Sequence, residues 1–542
     1  MQTITIDGFN LTAQQVVNVS RAPLLKVALA DSSRAALKQS RDYIESTWMH
    51  DEAPMMYSFN TGVGLLKDTR IKVEHIELFQ TQLIRAHSAG IGEPFSEEVS
   101  RATMLLRANA FASNYSAPRV EVVDRLLAFI NAGIHPIMPQ KGSVGASGDL
   151  APLSYLAAAI AGFDEAEVMY KGQRMSAPQA ITQADIGPVK FDLKAKDASA
   201  LINGCTASLA VAILAAHDAR HLLSDACLSL GLTLEAMRAE MAAFDPRIQQ
   251  ARPHAGQIKT AQVVRTLLKG STRTTHEARA VQLPDELRRT DIPYTSRIQD
   301  VYSLRCSPQV YGPVFDALDY IDTIIEKETN SATDNPLIFS KDDGEGFEII
   351  SGGNFHGQYL AQAMDLLAMA ITDLGSICER RVARLIDPTL SWGLPRNLMS
   401  GIRGVNTGYP VVQCSLSSLV MENRTLCTPG SVDSIPSKGN SEDHISNSTW
   451  CARKMTVVQN TQYIVGVEML LAAQALTMTE ELLKDFKLGQ GTQAAYDEIR
   501  RQIPACLDGD RWFHNDIQAA HDFVVSGSVR NAVVASIGSL FD

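Results

Sequence analysis

Cys205-Thr206-Ala207-Ser208-Leu209-Ala210-Val211 opens a stretch, residues 205–238, that is rich in Ala and Leu. Apolar residues recur there at three- and four-residue spacing, the period that lines one face of an α-helix. Residues 356–386 repeat the pattern without a proline, and residues 452–486 repeat it again. Each stretch predicts a helix of about 30 residues, about 45 Å long, well beyond the usual globular length. Helices of that length with apolar stripes bury one another in a bundle. Ile4–Ile6 and Glu348–Ile350 read as strands, too short to build a large sheet. The expected fold class is therefore mainly α: a long central helix bundle with an N-terminal loop-rich helical region. The expected parts are residues 1–200, 201–486 and 487–542, packed as one unit, since there is no clear linker, internal repeat or low-complexity tract.

The 542 residues carry a net charge of −11 and are 45% hydrophobic. That is enough apolar material for a large core, and the charge does not suit nucleic acid, whose binders show a basic patch or stripe. The pair Arg288-Arg289 reads as a solvated loop. No basic n-region or apolar h-region opens the chain. Leu153–Phe163, the most apolar run, is too short for a membrane span, which takes about 20 residues, and reads as a buried helix. The eight cysteines are scattered with no C-x-x-C pair, which argues against a zinc ribbon or a disulfide framework and suits the reducing cytoplasm. Two segments are punctuated by Gly and Pro. Residues 265–300 read as a long polar loop containing Gly270, Pro284 and Pro293. Residues 387–448 mix helical pieces with turns from Pro388 to Gly439. Long irregular segments inside compact proteins are often functional.

The chemistry is concentrated at Lys141-Gly142-Ser143-Val144-Gly145-Ala146-Ser147-Gly148-Asp149-Leu150-Ala151-Pro152. A phosphate loop needs a lysine after its last glycine, and Asp149 stands there. A nucleophile elbow needs glycine two residues after Ser147, again the position of Asp149. A tight turn remains open, with Asp149 capping a helix that starts at Leu150. A fourth reading is a self-made electrophile, and its support comes from resemblance.

Gly142 to Leu153 resembles the signature of the histidine/phenylalanine/tyrosine ammonia-lyase family. Other motifs follow in order: Tyr57-Ser58-Phe59-Asn60-Thr61-Gly62-Val63-Gly64, with Ser58 where the family has glycine; Leu201-Ile202-Asn203-Gly204; Tyr302-Ser303-Leu304-Arg305-Cys306; Thr333-Asp334-Asn335-Pro336-Leu337; and Gly352-Gly353-Asn354-Phe355-His356-Gly357. The likeness runs from about residue 10 to 480. It implies that Ala146-Ser147-Gly148 cyclises with loss of water to 4-methylidene-imidazol-5-one, with no external cofactor and no metal. The residue types suit this. Gly148 has no side chain to block attack of its nitrogen on the Ala146 carbonyl. Ser147 supplies the hydroxyl that leaves. A helix beginning at Leu150 would place positive dipole potential beside the electrophile.

The resemblance implies roles for further residues. Tyr57 would be the base, a phenol whose pKa the electrophile loop and nearby helix ends would lower; otherwise it is a packed turn aromatic. Arg305 would clamp the substrate carboxylate with its planar fork; otherwise it is a structural ion pair. Asn203 and Tyr302 would hydrogen-bond the electrophile, and Gln299 and Phe355 would line the pocket. Glu422 corresponds to a glutamate near the substrate amine or ring; on residue type alone it is a solvated helix face. His87, in Ile84-Arg85-Ala86-His87-Ser88-Ala89-Gly90, is similar to the S-H-x-x-G run of histidine ammonia-lyases and could bond an imidazole nitrogen or a phenol oxygen. Otherwise it is a satisfied core histidine.

Three stretches depart from the histidine-lyase pattern: Leu394-Pro395-Arg396-Asn397-Leu398, Tyr409-Pro410 and Ser441-Glu442-Asp443-His444-Ile445-Ser446-Asn447. An arginine such as Arg396 at the pocket would change its charge. The implied reaction is elimination of ammonia from an aromatic L-amino acid, histidine or an analogue, to the unsaturated acid. A tyrosine lyase or tyrosine 2,3-aminomutase, a lyase of a histidine betaine, and an inactive helical scaffold are the alternatives. The only implied partners are the small amino-acid substrate and copies of the chain in a homotetramer with shared sites, without nucleic acid or membrane.

Overall fold

The computed structural model describes residues 3–22, 24–285, 298–432 and 442–540. Arg288-Arg289, Pro293, Pro436, Gly439 and Ser441 lie outside the described residues. Twenty-one α-helices dominate the described chain, and no strand exceeds four residues. The chain is mainly α. Thr3–Ile6 pairs in parallel with Lys26–Leu29, and Phe347–Ile350 pairs antiparallel with Leu337–Ser340. These contain the two segments that read as strands. A three-stranded sheet from Ile134–Pro136, Glu167–Tyr170 and Gln173–Ser176 and a pair from Ile91–Pro94 and Pro139–Lys141 complete the β-structure.

The chain forms two compact units, each discontinuous in sequence. The first runs up to Ala215 and adds Ile321–Asp365 and Pro429–Lys454. The second comprises Ala216–Tyr320, Leu366–Thr428 and the chain from Met455 on. The long helices Thr206–Ala236, Ser307–Thr329 and Gln358–Leu385 each carry residues of both.

The first predicted long helix is observed at Thr206–Ala236, but its apolar residues do not form a stripe. Apart from the patch around His217 to His221, it is buried on all faces, as expected of a helix apolar all round. The second, Gln358–Leu385, is amphipathic: Leu360, Met364, Leu367, Ile371, Leu374 and Cys378 are buried, while Tyr359 and Met369 are exposed. It is long and apolar enough to cross a membrane by length and composition alone, although 61% of its apolar window is buried. The third prediction, one helix over 452–486, divides into Ser448–Arg453, Thr456–Met478 and a 3-10 turn at Glu481–Leu483. The first break lies at Lys454, whose buried ammonium bonds Asp365, a tertiary demand that periodicity does not record.

Candidate active site

The stretch 142–149 is a turn made by backbone geometry. Gly145, Ser147 and Gly148 have φ of 78°, 55° and 80°. Gly148 N–H donates to Gly145 O at 3.3 Å, and Ser143 Oγ donates to Gly148 O at 2.9 Å. A second chain segment locks the turn. Gly204 N–H donates to Ser147 O at 3.1 Å, and Asp149 N–H donates to Gly204 O at 2.8 Å. A Cβ on Gly148 would lie 2.2 Å from Gly204 O, so only glycine allows this approach.

The following helix is Leu150–Ala161, as the sequence suggests, but Asp149 makes no side-chain cap. Its fully buried carboxylate instead accepts from Ser208 N–H at 2.7 Å, Ser208 Oγ at 2.6 Å and Thr449 Oγ1 at 2.8 Å. Burial pushes this carboxyl above its ordinary value, opposed by those hydrogen bonds. The capped-turn reading is therefore corrected: distant donors outcompete the local amides.

Ser147 forms part of the wall of a cavity of about 860 Å³ within the first unit, together with Tyr57, His87, Asn203 and Phe355. Tyr57 is placed by a tight turn. Asn60 Oδ1 accepts from Met56 N–H at 2.7 Å, Asn60 Nδ2 donates to Pro54 O at 2.9 Å, and Ser58 N–H donates to Thr61 Oγ1 at 3.2 Å. Phe59 anchors the turn, fully buried against Trp48 with ring centroids 6.0 Å apart. Ser58 has a φ of 66°, which accounts for glycine in the pattern at that position.

The phenol of Tyr57 is raised, not lowered as expected. Burial is the main cause, and the charges of Glu442 and Asp334 add to it; the Gly64 N–H, 3.5 Å from the phenol oxygen, works the other way. Neither the electrophile turn nor a helix end overcomes the desolvation.

His87 ends the helix Ile76–His87. Its Nδ1 lies 2.7 Å from Leu83 O. A carbonyl only accepts, so Nδ1 carries a proton, and in the neutral ring Nε2 is then an acceptor. Asn203 donates from Nδ2 to Asp334 Oδ1 at 2.9 Å and to Asn335 O at 3.0 Å. Its Oδ1 is buried with no partner among the described residues. The carbonyl of Phe355 accepts from Cys205 Sγ at 3.0 Å.

The other sequence-derived residues belong to the second unit, and the first cavity has none of them in its walls. Gln299 and Arg305 line a separate cavity of about 380 Å³. Arg305 Nε donates to Asp300 O at 2.8 Å, and its guanidinium lies over the Tyr302 ring, 4.7 Å from the centroid. Among the described residues no carboxylate pairs with Arg305. Tyr302 is 71% exposed. Glu422, exposed on the helix Pro410–Leu426, accepts from Asn460 Nδ2 at 3.1 Å. Arg396 is exposed in a 3-10 turn, and its backbone N–H donates to Asp285 at 2.9 Å.

A family model for aromatic amino acid lyases matches residues 11–501. The chain belongs to the aromatic amino acid lyase family. It is a carbon–nitrogen lyase. Histidine ammonia-lyase of Alkaliphilus oremlandii is 40% identical over 538 residues, covering 99% of each chain. The structure of tyrosine aminomutase from Streptomyces globisporus matches with a TM-score of 0.89 at 33% identity, covering 100% of both chains. Histidine ammonia-lyase from Trypanosoma cruzi matches with a TM-score of 0.85 at 32% identity, covering 99% of this chain and 96% of that one.

Sequence reasoning had not counted Glu442 among the site residues of this lyase. It lines the cavity with Tyr57, although in the sequence it stood only inside a stretch that departs from the histidine-lyase pattern. Leu65 and Leu66, both exposed, and Lys67 and Asp68 line the same cavity; no local pattern marked them. The tripeptide of this aromatic amino acid lyase fits a group formed from its own backbone. Ser147 reaches the cavity wall, and Gly148 occupies a cradle that a Cβ would fill. Asn203 does not serve as the expected donor to the electrophile, because its N–H groups are held by Asp334 and Asn335.

Proposed function

We propose that the protein eliminates ammonia from L-histidine or a close analogue, giving the urocanate-type unsaturated acid. The observation that carries this reading is the single cavity lined by Tyr57, His87, Ser147, Asn203 and Phe355. The full-length similarity to histidine ammonia-lyases supports the choice of substrate. Ala146-Ser147-Gly148 would form 4-methylidene-imidazol-5-one, which would supply an electrophile toward the substrate amine and so improve it as a leaving group.

Tyr57, as phenolate, takes the proton from the substrate's β-carbon. His87 presents Nε2 as an acceptor, suited to the N–H of an imidazole. Leu65, Leu66 and Phe355 offer the ring an apolar wall. Arg305 binds the substrate carboxylate, Tyr302 orients the reacting group, Gln299 completes the pocket, and Glu422 faces the amine or ring, with Arg396 at the rim. The exposure of Tyr302, and the lack among the described residues of a carboxylate on Arg305, support their serving a site completed by neighbouring copies, in a homotetramer. The working compartment is the cytoplasm, and neither nucleic acid nor a membrane takes part.

The test is a substrate panel of histidine, N-methylated histidines, tyrosine and phenylalanine, scored by product mass with near-ultraviolet absorbance. Ammonia and urocanate from histidine are expected. No turnover on any of the four would overturn the reading. An intact mass equal to the unmodified chain, rather than lighter by two waters, would favour an inactive scaffold. Dilution into monomers is expected to abolish activity; a fully active monomer would refute shared sites.

A tyrosine 2,3-aminomutase is the second reading. The acceptor Nε2 of His87 suits a phenol O–H equally well, and the Streptomyces globisporus aminomutase shares the whole fold. A dominant β-amino acid product from tyrosine would establish it over the lyase.

A further inference from the structure

Lys196 is fully buried, with its ammonium 2.6 Å from Asp334 Oδ2, and Asp334 is itself only 1% exposed. Its backbone sits at φ 70°, a conformation that disfavours any residue with a Cβ. A buried ion pair is a weak source of stability, because desolvation offsets the attraction.

The pair is not isolated. Asp334 Oδ1 accepts from Asn203 Nδ2 at 2.9 Å, and the same nitrogen donates to Asn335 O at 3.0 Å. A carboxylate paired with a lysine and a backbone carbonyl can only accept. The amide of Asn203 therefore has one orientation, with its N–H groups toward Asp334 and Asn335 and its Oδ1 turned away. Both N–H groups are consumed there, so Asn203 has only its acceptor left for the reaction. A second buried cation holds the backbone of the same residue: Arg107 Nη1 donates to Asn203 O at 2.8 Å. The next residue, Gly204, carries the two hydrogen bonds that lock the turn at Ser147 and Asp149.

We infer that Lys196 is a positioning residue for the elimination: acting through Asp334, it fixes the carboxamide of Asn203 on the cavity wall that also holds Ser147. This inference rests on the ammonia-lyase reading above. It assigns work to a lysine that touches neither the cavity nor the electrophile turn.

The test is a double-mutant cycle on kcat in the full-length protein, with each rate divided by the fraction of chains lighter by two waters. Lys196→Met is expected to lower kcat roughly 10- to 100-fold, the scale of a small misplacement of a reacting group, with a smaller change in KM. In an Asn203→Ala background the same substitution is expected to change kcat by less than about 2-fold, because the two residues act as one unit. Lys196→Arg, which keeps a cation on Asp334, is expected to recover most of the rate. An equal loss in both backgrounds, or no loss in Lys196→Met alone, overturns the inference. If Lys196→Met gives no folded protein, Asp334→Asn carries the same cycle, since its side chain can offer an N–H to Asn203 and so release the amide's orientation. Absence of turnover by the wild type overturns the ammonia-lyase reading and this inference with it; wild-type turnover with a failed cycle overturns this inference alone.

Discussion

Tyr57 is held among groups that oppose its ionised form, which makes the electrostatics around one oxygen decisive. As a base it works only as the phenolate, so kcat/KM rises with pH through its ionisation. Glu442 places a negative charge on that phenol and raises its pKa. Glu442→Gln removes the charge, lowers the phenol's pKa, and moves the rising limb to lower pH. A kcat/KM profile checks this; a limb that stays in place or moves up would separate Glu442 from the base. Ser58, one residue on, carries a Cβ at φ 66° and a buried hydroxyl without a partner. Ser58→Gly is expected to stabilise the fold by about 1 kcal/mol, the usual cost of a side chain in the left-handed region, read as a higher denaturation midpoint. Tyr57, Ser147, Asn203 and Phe355 were legible because each sits in a short motif whose spacing is local. Lys196 and Asp334 act through a contact spanning 138 residues, and no local pattern reports such a pairing.

Among the elements, the loop after Ile202 and the turn before Leu150 form one structure. Gly204 has a φ of 115°, and a Cβ there would lie 1.9 Å from Thr333 O. Gly204→Ala therefore displaces the loop from the turn. The expected result is a chain that keeps its full unmodified mass and has no elimination activity, seen by intact-mass spectrometry. A chain still lighter by two waters would show that the turn cyclises without this support. Helix existence was readable from periodicity, since a 31-residue run rich in Ala and Leu, without proline, admits few alternatives. Helix breaks and caps were not. The interruption at Lys454 and the desertion of the cap by Asp149 both answer partners far along the chain, and propensity yields to tertiary demand.

For the molecule as a whole, the second unit is braced by a buried ion pair. Arg381 Nη2 lies 2.8 Å from Glu468 Oε2, and both side chains are fully buried. Thr233 Oγ1 also donates to Glu468, at 2.8 Å. Removing one charge strands the other, at a cost of about 3–5 kcal/mol. Arg381→Met alone is expected to lower the thermal midpoint sharply, and Arg381→Met with Glu468→Leu to recover part of it. Equal losses in the single and double variants would mean that packing, not charge, holds this position. The division of the chain into two discontinuous units was not visible in the sequence, because three of their five boundaries fall inside helices and leave no change in composition.

The bond from Thr449 to Asp149 joins residues 300 positions apart. At a synthesis rate of about 5–20 residues per second, the ribosome needs roughly 15–60 s to bridge that interval. The reactive tripeptide thus emerges early, and its last brace arrives when most of the polypeptide has been made. On the proposed reading, maturation of the tripeptide waits for Thr449 to be made, and a nascent chain stalled before it carries the tripeptide without one of the bonds that hold its surroundings in place.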